Sequence, residues 1–217
     1  MINICFHGIG TPNRTLEKDE EGYWISRDLY LRIIDEIHNR TDVEVSFDDG
    51  NASDLEIGFG PLVDSGRRAA FYVLAGRLDL PGSLSSDDVR HLSEQGMLIG
   101  SHGMDHVPWR HLATSQEHRE FVEARSRIAD AAGVPITEAA LPLGRYDRRV
   151  LSSLRRLGYT RVYSSDRRRA NPDAWFQPRY SVHANDSIET IRSGILAAPG
   201  TTDRLVSSVK GLIKRLR

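Results

Sequence analysis

Two neighbouring carboxylates follow a short segment in which apolar and polar residues alternate. The segment V-E-V-S-F-D-D-G covers residues 43–50 and ends in Asp48, Asp49 and a glycine. The alternation predicts a half-buried strand, and the glycine allows a sharp turn after it. Adjacent carboxylates repel each other, so at a partly buried strand end they require a cation or a proton. A turn cap is the alternative, because Asp-Gly is a common turn dipeptide.

A pair of histidines further along the chain could complete a metal site. His102 and His106, in S-H-G-M-D-H, are four residues apart, so on a helical turn both imidazoles would project from one side. Together with Asp49 they would give the three protein ligands of a catalytic zinc site, which leaves a position for water. Exposed or capping histidines are the alternative. In the metal interpretation Asp49 binds the ion, and Asp48 acts on the water.

The elements that must position these residues are short apolar segments alternating with helical patterns. This order predicts parallel strands covered by helices, either in a barrel or in an open sheet. About seven strands favour a barrel, in which residues at the strand ends share one face. His7 ends the first of them and would therefore reach the same face. The predicted strands are 2–6, 43–47, 69–74, 97–100, 139–143, 161–164 and 179–182.

The helical patterns lie between these strands. One follows the apolar repeat from Ile25 to Ile37, and a second begins at residues 85–88 and stops near Gly96. The remaining two cover residues 116–132 and 150–157.

Composition restricts the class of protein further. The 217 residues favour one domain, and 29 basic against 30 acidic residues argue against nucleic acid as a partner. Cys5 is the single cysteine, which excludes a disulfide scaffold within the chain and favours a small core residue. The N-terminus lacks the pattern of a secretory signal, and no apolar segment is long enough to span a bilayer. With Met1 as the native start, we expect a cytoplasmic protein.

S-F-D-D-G and S-H-G-M-D-H, in this order, resemble the first two motifs of the polysaccharide deacetylases, also called carbohydrate esterase family 4 or NodB-homology domains. The resemblance covers residues 2 to about 195. It implies a distorted (β/α)7 barrel and metal-dependent N-deacetylation of acetamido sugars. It also implies that Asp48 is the general base and that Asp49, His102 and His106 bind a divalent metal. Zn²⁺ is the favoured ion, with Co²⁺, Ni²⁺, Mn²⁺ and Fe²⁺ as alternatives.

The segment L-P-L-G-R-Y at residues 141–146 resembles the third motif of the family. The resemblance implies that the backbone N–H of Leu143 stabilises the oxyanion. The arginine expected two residues before the proline is replaced by Ala140. Arg179 is a candidate to replace it near Asp48, and a surface salt bridge is the alternative.

The last motif of the family ends in a catalytic histidine, where this chain has Pro199. The segment I-N-I-C-F-H at residues 2–7 resembles that motif moved to the front, as in circularly permuted poly-N-acetylglucosamine deacetylases. The resemblance implies that the first strand closes the barrel beside the last strand. His7, at the end of the first strand, is thereby brought to the site as general acid. A structural hydrogen bond at a strand end is the alternative for His7.

Arg179, Trp109 and Tyr146 are the predicted substrate-binding residues, with a core role as the alternative for Trp109. We divide the chain into a catalytic domain at 1–200 and a basic amphipathic helix at 201–217. That helix packs on its own domain or, through residues 203–217, lies on the inner face of the membrane.

The predicted substrate is an N-acetylated sugar, either an exopolysaccharide or its nucleotide- or lipid-linked precursor. Three other functions are compatible with the sequence: hydrolysis of a non-sugar amide on the same fold, sugar binding by an inactive relative, and an interaction protein in which the motifs are coincidental. The sequence does not predict the oligomeric state.

Overall fold

Every paired strand of the main sheet runs parallel to its neighbours. The computed structural model describes residues 1–197. Eight strands follow the order β10-β1-β4-β5-β6-β7-β8-β9, and β2 pairs with β3 in a separate parallel pair. The strands are β1 Ile2–Phe6, β2 Gly8–Ile9, β3 Trp24–Ile25, β4 Val43–Asp49, β5 Ala69–Val73, β6 Leu98–Ser101, β7 Glu138–Ala140, β8 Arg161–Ser164, β9 Phe176–Pro178 and β10 Tyr180–Ser181.

The last strand of the barrel is interrupted at Arg179. On one side of the interruption β9 pairs with β8, and on the other side β10 pairs with β1. The backbone N–H of Arg179 donates to the carbonyl of Ser164 at 2.8 Å. If residues 176–181 are counted as one interrupted strand, the barrel has seven strand positions. The predicted distorted (β/α)7 barrel is therefore confirmed, and β1 lies between the last strand and β4.

Buried aromatic side chains of the strands pack on the outer face of the barrel wall, where Phe6 lies 5.1 Å from Tyr30 of the first helix. All five residues of β1 are buried, and six of the seven in β4 are. Phe47 of β4 stacks on Phe71 of β5 with 4.8 Å between ring centroids, and Phe6 of β1 lies 5.5 Å from Phe47. Aromatic pairs at such distances add to the stability that their burial provides. Ser46 and Asp48 alternate with these rings and face the barrel interior, where Arg179 contacts both of them.

The helices cover the outside of the barrel and begin at recognisable caps. Ser26 accepts a hydrogen bond from the N–H of Leu29, and Ser85 forms a capping box with Asp88. Gly133 ends a helix in the left-handed conformation. The helices are α1 Arg27–Glu36, α2 Gly60–Asp64, α3 Ser86–Glu94, α4 Thr114–His118, α5 Ala124–Ala132, α6 Arg148–Arg156 and α7 Ile188–Ile191, with π-helical segments at Asp54–Phe59, Arg119–Glu123 and Arg192–Leu196.

Most predicted elements are present, with shifted ends. Ile25 lies in β3 rather than in the first helix, because Ser26 caps α1 after it. The predicted helix at 116–132 is formed by α4, a π-helical segment and α5 in succession. The π-helical and α-helical region at 54–64 was not predicted. None of the helices in residues 1–197 combines the length and apolarity needed to cross a membrane. Pro199 and the predicted helix at 201–217 lie outside the described residues.

Candidate active site and metal centre

Three potential metal ligands converge at the C-terminal ends of β4 and β6. Asp49 ends β4, His102 follows β6, and His106 lies in the loop after it. One ligand atom from each of the three lies within 4.8 Å of the others. The Asp49 Oδ1 atom is 3.4 Å from Nε2 of His102 and 3.4 Å from Nε2 of His106. The structure thus brings the three predicted ligands together.

The donor set fits a divalent metal ion. Two ligands that each lie about 2.0–2.1 Å from a tetrahedral zinc ion are about 3.4 Å apart, which matches both separations from Asp49. The Oδ1 atom of Asp49 is buried and has no hydrogen-bond partner among residues 1–197. A buried carboxylate oxygen without a partner is costly, and a bound cation would satisfy it.

Both imidazoles are held with Nε2 directed at Asp49. The Nδ1 atom of His102 lies 3.0 Å from the carbonyl of Ala140, which can only accept, so Nδ1 carries the proton. Nε2 is then free to bind a metal. Burial lowers the pKa of His102 to about 4, which keeps this ring neutral at neutral pH. The Nδ1 atom of His106 lies 2.7 Å from Oε2 of Glu17, and the same argument leaves its Nε2 free.

Left-handed backbone conformations concentrate at the site. Asp49, His106 and Leu143 have φ values of 74°, 55° and 55°. Such values are uncommon for residues other than glycine and are often found at functional sites. The prediction that a helical turn presents both histidines was wrong, because residues 102–107 form an irregular loop. His106 reaches Asp49 through its backbone conformation instead.

A buried carboxylate supports the loop that carries His106. Glu120 accepts hydrogen bonds from the N–H groups of Met104 at 2.8 Å and Asp105 at 3.2 Å. Its Oε2 atom also accepts from the indole N–H of Trp109 at 3.1 Å. Trp109 is fully buried and packs edge-on against Phe121. The interpretation of Trp109 as a substrate contact is therefore corrected to its core alternative.

Asp48 lies beside the candidate ligands but pairs with a buried arginine. Arg179 donates two hydrogen bonds of 2.6 Å, one to each carboxylate oxygen of Asp48, and a third of 3.1 Å to the Ser46 hydroxyl. Burial alone would raise the pKa of Asp48, but the charge and the two hydrogen bonds of Arg179 outweigh it and hold that pKa well below its usual range. Asp48 is therefore ionised at neutral pH. Arg179 orients this carboxylate and also lines the cavity over the site, so its contact with substrate stays a prediction.

His7 also lies beside the carboxylate of Asp48. Its Nε2 atom is 3.9 Å from Oδ2 of Asp48, and its Nδ1 atom is buried without a hydrogen-bond partner in the described part of the chain. The ring packs against Tyr23, with 4.8 Å between centroids, and Tyr23 in turn packs against His183. The side-chain amide of Asn51 donates to the His7 carbonyl. These contacts place His7 at the site with one nitrogen facing Asp48.

The segment that follows β7 supplies the last predicted residues. Leu143 is half exposed and lines the cleft, whereas Tyr146 is buried and donates a 2.7 Å hydrogen bond to Asp166. Tyr146 also packs on Phe176, with 5.1 Å between centroids. It belongs to the core and does not line the cleft, so its predicted substrate contact is corrected. The reason is that the left-handed turn at Leu143 exposes that residue while Tyr146 turns inward.

A cavity of about 370 Å³ opens over the candidate ligands, His7, Asp48 and Leu143. Its outer wall includes Glu17, Lys18, Tyr23 and Arg145. The sequence interpretation missed Glu17 and Glu120. Each lies in a stretch rich in charged residues, so no local pattern distinguishes it.

A family model described as polysaccharide deacetylase matches residues 36–162. This chain belongs to the polysaccharide deacetylase family. The Bacillus subtilis (strain 168) protein YxkH, which is named provisionally as a polysaccharide deacetylase, is 22% identical over 141 residues. That match covers 65% of this chain and 50% of YxkH, so the chain spans about half the length of this relative.

Solved structures share the fold. The deacetylase PplD of Streptococcus pyogenes, whose structure contains acetate, superposes with a TM-score of 0.77 at 15% identity, over 92% of this chain and 98% of PplD. IcaB from Ammonifex degensii superposes with a TM-score of 0.67 at 21% identity, over 90% of this chain and 97% of IcaB. At these identities the likeness establishes the fold alone.

Proposed function

We propose that this protein is a metal-dependent N-deacetylase that removes the acetyl group from an acetamido sugar. The substrate is an exopolysaccharide or its nucleotide- or lipid-linked precursor. The observation that carries the proposal is the convergence of Asp49, His102 and His106 beside Asp48, a second carboxylate that Arg179 holds separately. Membership of the polysaccharide deacetylase family supports the same activity.

Asp49, His102 and His106 would hold the metal ion, and zinc is favoured because nitrogen and carboxylate ligands in a three-residue set are typical of catalytic zinc. When bound, such an ion acts as a Lewis acid and lowers the pKa of a water molecule. The irregular loop positions His106, and the neutral ring of His102 leaves its Nε2 atom available to bind the ion.

Asp48 is the general base in this proposal. Its carboxylate is ionised because of Arg179, and it is fixed in orientation by the two hydrogen bonds from that residue. It accepts the proton of the water that attacks the acetamide carbonyl. Because Arg179 occupies one edge of the carboxylate, only the side facing the ligands remains for the water.

The backbone N–H of Leu143 donates to the oxyanion that develops at the carbonyl. His7, in its protonated form, donates a proton to the departing sugar nitrogen, so that the carbon–nitrogen bond breaks to give acetate and an amino sugar. Leu143 and His7 line the same cavity as Asp48, which supports these roles.

The proposal is tested by acetate release together with metal analysis, comparing wild type with Asp48→Asn. Chitooligosaccharides and UDP-linked acetamido sugars are the sugar substrates, and a panel of non-sugar acetamides serves for comparison. We expect acetate from at least one sugar with the wild type, and no turnover with Asp48→Asn at unchanged metal content. Asp48→Asn keeps the size of the side chain and removes its basicity.

Several results would contradict the proposal. Turnover by Asp48→Asn close to that of the wild type would remove Asp48 as general base. Acetate release from non-sugar amides alone would assign the protein to that class of amide hydrolase. Wild-type protein that binds no divalent metal would exclude the metal centre.

A further inference from the structure

The two candidate histidine ligands are oriented by different kinds of partner. The Nδ1 atom of His102 donates to the carbonyl of Ala140 in strand β7, which is part of the barrel. The Nδ1 atom of His106 instead donates to the side chain of Glu17 at 2.7 Å, across 89 residues of sequence. His102 therefore depends on the sheet, whereas His106 depends on one carboxylate from the segment after β2.

The segment that carries Glu17 is held by a buried acid. Glu20 is 7% exposed, and its Oε2 atom accepts the backbone N–H of Glu17 at 2.7 Å. Both carboxylate oxygens of Glu20 also accept hydrogen bonds from the guanidinium of Arg14, one of them at 3.0 Å. Arg14 in turn donates to the side-chain oxygen of Asn51, two residues after Asp49, at 2.7 Å and 3.1 Å. The backbone of Glu17 is thus fixed relative to the end of β4.

The side chain of Glu17 is fixed as well. Arg77 donates to its Oε1 atom, while Oε2 faces His106. The same guanidinium lies 3.8 Å from Oε1 of Glu20. With one oxygen held by an arginine, the other can accept from only a narrow range of directions, which fixes the plane of the imidazole.

We propose that Glu17 is a positioning residue for the metal ligand His106, and that residues 14–20 thereby belong to the metal centre. This inference rests on the metal site of the proposed function. Carboxylates that accept a hydrogen bond from a metal-bound histidine fix its tautomer and raise its basicity, and their loss costs about tenfold to hundredfold in metal affinity. Among the described residues, Glu17 is the hydrogen-bond partner that the structure gives the Nδ1 atom of His106.

The test measures zinc affinity by competition with a chromophoric chelator in the wild type, Glu17→Ala and Glu17→Gln. Glu123→Ala is the matched control, because Glu123 faces Nδ1 of His118 at 3.0 Å in the same kind of contact. The Glu17 and Glu123 side chains are 46% and 52% exposed, so neither replacement removes core packing. Absorption spectra of the Co²⁺-loaded proteins report the ligand arrangement independently of activity.

We expect Glu17→Ala to bind zinc about tenfold to hundredfold more weakly and to change the Co²⁺ spectrum. Glu17→Gln should recover much of the affinity, because its amide oxygen still accepts from Nδ1, and Glu123→Ala should match the wild type. If the wild type binds metal and Glu17→Ala binds it within twofold of that affinity, the inference is overturned while the metal centre stands. If the wild type binds no metal, the proposed function itself fails.

Discussion

The carboxylate of Asp48 and the guanidinium of Arg179 form a two-hydrogen-bond pair in the interior of the barrel, although 131 residues separate them in sequence. Arg179 lies at the interruption between β9 and β10, with its guanidinium 5.1 Å from the ring of Tyr72 and 5.7 Å from that of Tyr163. Ala140 packs in the same small cluster as these tyrosines. Arg179 thus contacts both tyrosines that pack with Ala140, the position at which the family motif has its arginine.

Replacing Arg179 with Met should reduce kcat/KM by about a hundredfold or more, the scale on which a general base contributes. The pKa of Asp48 should rise because the cation that lowers it is gone. The acid limb of the kcat/KM profile should therefore move to higher pH. The measurement is kcat/KM for acetate release as a function of pH, from below neutrality to above it.

Arg40→Met is the control for this variant, because Arg40 forms a comparable two-bond pair with Asp42 at the surface. Its pH profile should match that of the wild type. An acid limb that stays in place in Arg179→Met would show that Arg179 does not set the ionisation of Asp48.

Replacing His7 with Ala should lower the rate of amide hydrolysis by about two orders of magnitude, because the departing amine then lacks a proton donor. An aryl acetate ester releases a phenolate that needs no proton, so its hydrolysis should change far less. Both rates are measured on the same zinc-loaded protein. An equal loss on both substrates would assign His7 a structural role.

Replacing Trp109 with Phe should leave KM for the sugar unchanged, because the indole is buried and contacts Glu120 rather than the cleft. The free energy of unfolding should fall by about 1–3 kcal/mol, since Glu120 loses one buried donor. Urea denaturation and steady-state kinetics measure the two effects. A KM that rises at unchanged stability would restore Trp109 as a substrate contact.

The sequence was sufficient to predict where the chemistry lies. Asp48 and Asp49 end an alternating strand, and His102 follows the second strand after it. Because the ends of barrel strands share one face, these residues were predicted to lie close together. The alternation of strands and helices predicted parallel strands in a barrel or an open sheet, and the resemblance to the deacetylase family implied the distorted (β/α)7 barrel. The start of α3 was predicted because Ser85 and the residues after it form a capping signal, whereas the cap at Ser26 was overlooked and Ile25 was assigned to α1.

Long-range contacts could not be predicted in the same way. Glu17 and Glu120 act through partners 89 and 16 residues away, and nothing in their neighbouring residues indicates this. The loop after His102 was misjudged because four-residue spacing is compatible both with a helical turn and with a left-handed residue at His106. Trp109 and Tyr146 were placed in the cleft because aromatic residues near motifs suit either a cleft or a core.

The interruption of the last strand at Arg179 ties the candidate base to the C-terminal part of the barrel. All three candidate ligands come from residues 49–106, whereas the partner that orients the base is contributed only after residue 178 has been synthesised. A chain that ends before residue 179 would contain all three candidate ligands and still lack the guanidinium that holds Asp48. The geometry of the candidate base therefore depends on the strand pair β10 and β1, through which the end of the barrel meets its beginning.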